Sequence, residues 1–130
     1  MVNKHESGYV ALLAVLVVGA VATSIALVLL VSGTDSQRST LVEQQSKQAR
    51  ALAVACTQEA LQRIHDATAF SGTNTLALGQ GNCTYTVIYT AAATRSVAVT
   101  GTVGNVVKKI QAYVTINTSS ISITSWQEVG

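Results

Sequence analysis

Tyr9-Val10-Ala11-Leu12-Leu13-Ala14-Val15-Leu16-Val17-Val18-Gly19-Ala20-Val21-Ala22-Thr23-Ser24-Ile25-Ala26-Leu27-Val28-Leu29-Leu30-Val31 is a run of twenty-three residues without one charged side chain. As a helix rising about 1.5 Å per residue it is roughly 35 Å long, enough to cross a hydrocarbon core of about 30 Å with some tilt. Its only hydroxyls, on Thr23 and Ser24, can bond back to a carbonyl one turn earlier and so cost little in lipid. The alternative is a buried helix of a soluble domain. A chain of 130 residues has too little protein to wrap every face of such a helix, so residues 9–31 read as a transmembrane segment.

On the amino side stand Met1-Val2-Asn3-Lys4-His5-Glu6-Ser7-Gly8, a polar leader over residues 1–8. Lys4 favours a cytoplasmic amino end, with Glu6 offsetting part of its charge. A secretory signal peptide has a shorter apolar region followed by a small-x-small cleavage site. Ala20-Val21-Ala22 offers that pattern, but the apolar run continues well past it, and the segment is expected to stay with the mature protein.

On the carboxyl side, Ser32-Gly33-Thr34-Asp35-Ser36 predicts a loosened or kinked helix where the chain leaves the interface. Residues 32–66 continue as an amphipathic helix from about Gln37, with Leu41, Val42, Ala49, Leu52, Ala53, Cys56, Ala60 and Ile64 on one side of a wheel. Val54 and Leu61 lie almost opposite and form a second, narrower apolar edge. A helix apolar on two sides wants two neighbours, which makes Val54 and Leu61 candidates for subunit packing.

Residues 67–130 read as a β-sheet head. The chain has no proline, and its second half is crowded with Thr, Ser, Val and Ile, which favours strands. Ser71-Gly72-Thr73-Asn74 and Gly79-Gln80-Gly81-Asn82 read as turns around Leu76-Ala77-Leu78, a possible edge strand. Alternation follows: Cys83, Tyr85, Val87 and Tyr89 on one side of a strand; Arg95, Val97 and Val99 on one side of the next; then strands over about Asn105 to Asn117 and Ser120 to Gln127. Short connections between four such strands predict an antiparallel meander with one apolar face. The expected fold is α+β: a long amino-terminal helix, transmembrane in its first half and amphipathic in its second, packed on a four-stranded antiparallel sheet. Cys56 on the helix stripe and Cys83 at the start of a strand are expected to pair as a disulfide if the head lies outside the membrane, and to be buried free thiols if it lies in the cytosol.

The charge balance, eight Lys+Arg against six Asp+Glu, gives no broad basic field, and no specific nucleic-acid partner is predicted. His5 lies in the leader, and His65 beside Asp66 reads as a solvated helix end. No metal site, cofactor or catalytic constellation is expected, and the chain reads as a non-enzyme. Gly79-x-Gly81 and Gly101-x-x-Gly104 are too short for phosphate-binding fingerprints and read as turns between strands.

Ser7-Gly8-Tyr9 leading into a long apolar helix, then an amphipathic continuation and a small antiparallel sheet, resembles the type IV pilin family, closest to its minor-pilin and pseudopilin members. The resemblance in organisation covers nearly the whole chain; the cleavage-site match covers a few residues. It implies that prepilin peptidase cuts after Gly8 on the cytoplasmic side and that Tyr9 becomes the N-methylated first residue. It also implies that the pilus assembly platform moves the helix from the inner membrane into an extracellular filament of other pilin subunits. Family members most often have Phe where this chain has Tyr9, and most carry a first-turn glutamate where Leu13 stands. In the family that carboxylate pairs with the amino terminus of a neighbouring subunit, and its absence is familiar among subunits at a filament tip. The alternatives are a pseudopilin of a type II secretion or DNA-uptake machine, and an uncleaved single-pass anchor displaying a binding domain.

Overall fold

The computed structural model describes residues 4–130; Met1, Val2 and Asn3 of the expected leader, and the side chains of Lys4 and His5, lie outside the described part. One helix, α1 (Lys4–Asp66), is followed by five strands: β1 (Gly72–Leu78), β2 (Gly81–Ala91), β3 (Thr94–Val103), β4 (Val106–Ile116) and β5 (Ile121–Val129). The chain divides into two compact units, Met1–Thr40 and Leu41–Gly130.

In the first unit, every described side chain from Glu6 onward is exposed. The apolar residues included are Tyr9 at 64%, Leu16 at 62% and Leu30 at 67% exposure. The helix is long and apolar enough to cross a membrane. The Thr23 hydroxyl is shared between the Gly19 carbonyl at 3.0 Å and the Ala20 carbonyl at 2.9 Å, and the Ser24 hydroxyl donates to Ala20 at 2.8 Å. Both polar groups are thus satisfied within the helix, as a lipid environment requires. The expected loosening over Ser32–Ser36 is not found, because α1 runs through it without a break. The Thr34 hydroxyl folds back onto the Val31 carbonyl at 2.8 Å and that of Thr40 onto Ser36 at 2.9 Å. One interior glycine, Gly33, costs about 1 kcal/mol relative to alanine, too little to break a helix already nucleated on both sides.

In the second unit, the rest of α1 lies on one face of a meander in the order β1-β2-β3-β4-β5, each pair antiparallel. The sheet therefore has five strands and not the four expected. The extra strand is β1, whose Gly72-Thr73-Asn74 start reads as a turn in the sequence. Cross-strand pairing consumes those polar side chains: Thr73 bonds Thr86 at 3.0 Å, Thr75 bonds Thr84 at 3.0 Å, and the Asn74 amide donates to the Tyr85 hydroxyl at 3.3 Å. Threonine is a good strand residue, and hydroxyl pairs of this kind stabilise a sheet face.

The core is built from Ala53, Cys56, Ala60 and Ile64 of the helix against Cys83, Tyr85, Val87, Val97, Val99, Ile110, Ala112 and Val114 of the sheet. Ala49 and Thr57 of the helix are buried too, and the Thr57 hydroxyl donates to the Ala53 carbonyl at 2.8 Å. Leu41 and Val42, placed by periodicity on the same stripe, remain 54% and 55% exposed. The buried face thus begins at Ala49, and most of it is small side chains. Such a face lets the helix backbone come down onto the sheet, and glycine on the sheet side makes the closest approach. A Cβ built on Gly101 in β3 would lie 2.9 Å from the Ala53 nitrogen and would collide with the Ala49 carbonyl oxygen. Gly101 and Gly81 are strand residues under the helix and not the turn residues the sequence suggests. Gly104, with φ of +57°, does make the β3–β4 turn, in the left-handed region that glycine tolerates best.

Candidate functional site

Gly8 and Tyr9, the residues at which the sequence leads one to expect processing, lie within α1, one turn past its first residue, and both are exposed. Nothing stands within 4 Å of where a Gly8 side chain would be. Glycine is among the weakest helix formers, so of the residues around the switch from polar to apolar sequence Gly8 resists helix opening least. Leu13 is 43% exposed, and no acidic residue occurs between Tyr9 and Val31.

In the second unit, Cys56 and Cys83 form a disulfide across a sequence separation of 27, with Cα atoms 6.2 Å apart, and neither cysteine is left free. The bond joins the middle of the helix stripe to β2, and both residues are fully buried. It fixes the helix over the sheet from the same interface that Gly101 closes. Val54 and Leu61, the second apolar edge, are half-buried and pack against the core from the side. Part of that edge faces the domain's own last strand: Leu61 lines a cleft with Gln58, Gln62, His65, Ile121 and Ile123. β5 thus stands beside this edge, at Leu61, across that cleft. What stays open along β5 is apolar as well, with Ile123 48% and Trp126 43% exposed.

Charges in this unit are mostly short-range pairs along the helix. Lys47 meets Glu43 at 2.9 Å and Arg63 meets Glu59 at 3.0 Å. The hydrogen bond from Lys47, aided by its charge, holds the Glu43 carboxyl below the ordinary carboxylate range. Arg50 reaches from the helix to Glu128 of β5 at 3.3 Å. These pairs are solvated, and pairs of this type contribute little to stability. His65 and Asp66 are both exposed at the helix end, 3.5 Å apart. Among the described residues, no group of three His, Cys, Asp or Glu side chains is arranged to hold a metal ion.

One residue with unusual chemistry escaped the sequence reading. Arg95 stands in register with Val97 and Val99 and, like them, points inward, only 4% exposed. Its guanidinium lies over the ring of Tyr89, 4.1 Å from the centroid, and Tyr89 is its cross-strand partner on β2. A register irregularity between Tyr89 and Ala91 brings the Ala91 carbonyl within reach of the same side chain. The signal in the sequence was an arginine on the apolar beat of an alternating strand.

No known protein family, curated protein or solved structure matches this chain.

Proposed function

We infer that the chain is a structural subunit of a type IV pilus-like filament, a minor pilin held in the cytoplasmic membrane until assembly. On this reading prepilin peptidase removes residues 1–8, Tyr9 becomes the N-methylated terminus, and the assembly platform draws the helix out of the bilayer. The observation that supports it most is the apolar stretch of α1 that begins directly after Gly8 and is exposed over all of residues 9–31. That surface needs a nonaqueous neighbour, lipid before assembly and the helices of other subunits afterwards. The disulfide-closed head suits an oxidising exterior, as does its lack of a free thiol.

Leu13 narrows the reading to a minor subunit. Without a carboxylate in the first turn of the mature helix, this chain has no acid to pair with the amino terminus of a copy of itself. The exposed remainder of Val54 and Leu61, together with exposed Ile123 and Trp126 of β5, is the surface assigned to packing against other pilins. Expressed with the assembly machinery but no other pilin, the protein is expected to remain in the membrane fraction. With other pilins present it enters sheared filaments in small amounts, and Leu13→Glu raises its share. Abundant filaments of the unaltered chain alone would overturn the minor-subunit assignment, and absence from filaments under every combination would overturn the filament reading.

A further inference from the structure

We propose that the cleft beside Arg95 is a binding site for a small monocarboxylate. The cleft, of about 380 Å³, is lined by Thr68, Ala69, Ala92, Ile116, Asn117 and Thr118 together with Arg95. It belongs wholly to the second unit and stands independently of filament assembly. Arg95 is 96% buried by the complement of its 4% exposure, yet it forms no ion pair with any carboxylate among the described residues. Buried guanidinium groups are ordinarily matched by an anion, because a desolvated charge with only neutral partners is costly.

The hydrogen-bond inventory shows which part of the group is left for a ligand. Nη1 donates to the carbonyls of Ala91 at 3.0 Å and Thr94 at 3.2 Å, and Nη2 donates to that of Thr68 at 2.8 Å. These three bonds tie the end of the helix connection to the β2–β3 turn and account for a structural role. A guanidinium has five N–H donors, so two remain, one on Nε and one on Nη2. Nε is buried without an acceptor among the described residues, so a ligand in the cleft reaches it once the side chain shifts to open its Nε–Nη2 edge. The Nε–Nη2 edge is the fork that receives the two oxygens of a carboxylate. The Tyr89 ring covers one face of the group and favours its planar, edge-on use.

The lining selects within the class of oxyanions. Among the described residues Arg95 is the only charged one in it, which matches one negative charge and not the two of a phosphate. Ala69, Ala92 and Ile116 offer a short apolar wall for an aliphatic body, while Asn117 and Thr118 offer polar groups at the mouth. A carboxylate from either source, a free metabolite or a side chain of a neighbouring copy, has the same chemistry.

The test is a titration of the full chain in nonionic detergent, following the nitrogen-15 signal of the Arg95 Nε–H group. Sodium acetate is expected to move that signal saturably in the millimolar range, the strength of a single charge-assisted fork with little apolar burial. Sodium chloride and inorganic phosphate at matched ionic strength should be weaker by about ten-fold or more. Ala92→Glu, a change at an exposed turn residue, places a carboxylate in the cleft and should move the signal without acetate and abolish the response to it. Arg95→Lys removes the observed signal, so its readout is the backbone amides of Asn117 and Thr118, whose acetate response should be lost. A shift that grows with protein concentration alone would assign the carboxylate to a neighbouring copy and support the same site. An Nε–H signal unmoved by acetate and by protein concentration, or moved as much by chloride or phosphate, would overturn the proposal.

Discussion

Replacing Gly101 with valine is expected to destabilise the head by about 3 kcal/mol or more, at the upper end of what overpacking a protein interior does. The reason is that the new side chain meets backbone and not a side chain that can rotate away. Its Cβ would press on the Ala49 carbonyl and the Ala53 nitrogen, with the Ala53 Cβ at 3.2 Å behind them. The helix would have to rise off β3 and uncover the small-residue face that Ala49, Ala53, Cys56 and Ala60 present to the sheet. Trp126 is the only tryptophan in the sequence, and it lies on β5 opposite Ala112 of the buried face. Urea unfolding of the full chain in detergent, followed by Trp126 fluorescence, should show a midpoint well below that of the unaltered protein. An unchanged midpoint would mean that the helix and sheet are not in backbone contact at this point. The same change at exposed Gly33, where a side chain meets nothing within 4 Å, serves as the control and should leave the midpoint in place.

Removing the disulfide has an effect of similar size by a different route. Cys56 and Cys83 close a loop with a sequence separation of 27, and in the chain-entropy account a loop of that size constrains the unfolded state by about 3 to 4 kcal/mol. Alanine at both positions is expected to lower the unfolding free energy by that amount, plus a smaller term for the two buried sulfur atoms lost. Reductant should destabilise the unaltered protein by most of the same amount and leave the double variant untouched. A loss below about 1 kcal/mol would show that the helix-to-strand connection is already ordered in the unfolded chain, against the entropic argument. Gly101 and the disulfide act on one interface, so their effects should not add fully when combined.

Much of this architecture was legible because it is periodic. The uncharged run of residues 9–31 gives a helix by length and composition, and the inward beat of Cys83, Tyr85 and Val87 gives β2 its face. Cys56 on the helix stripe and Cys83 on that beat are enough to bring the two sulfurs together once helix and sheet pack. Besides the loosening expected over Ser32–Ser36, where α1 runs on unbroken, three features were misread, each where local composition and tertiary packing disagree. Gly72-Thr73-Asn74 carries turn residues, but pairing with Thr86 and Tyr85 makes a strand of it. Gly101 looks like turn glycine, yet its role is set by the helix lying above it, a contact without a sequence period. Leu41 and Val42 satisfy the helical period but lie before the point where the sheet begins to cover the helix, and they stay exposed.

Arg95 is the hardest kind of residue to find from sequence. Its meaning comes from three backbone carbonyls at Thr68, Ala91 and Thr94 and from one aromatic ring, none of which has a signature. The Val54 and Leu61 edge was found, but the sequence did not show that β5 would lie across a cleft from Leu61. Ile123 and Trp126 of β5 are exposed as well, so the proposed packing surface takes in strand and helix together.

The most direct test of the account is the mass of the amino terminus. In a cell that contains prepilin peptidase, the protein extracted from the envelope is expected to begin at Tyr9 with one added methyl group, and Gly8→Leu is expected to leave the full-length chain uncut in the membrane. A native chain that still begins at Met1, or one cut after Ala22 in the manner of a secreted protein, would contradict the assignment of residues 9–31 as the assembling helix of a pilin-like subunit.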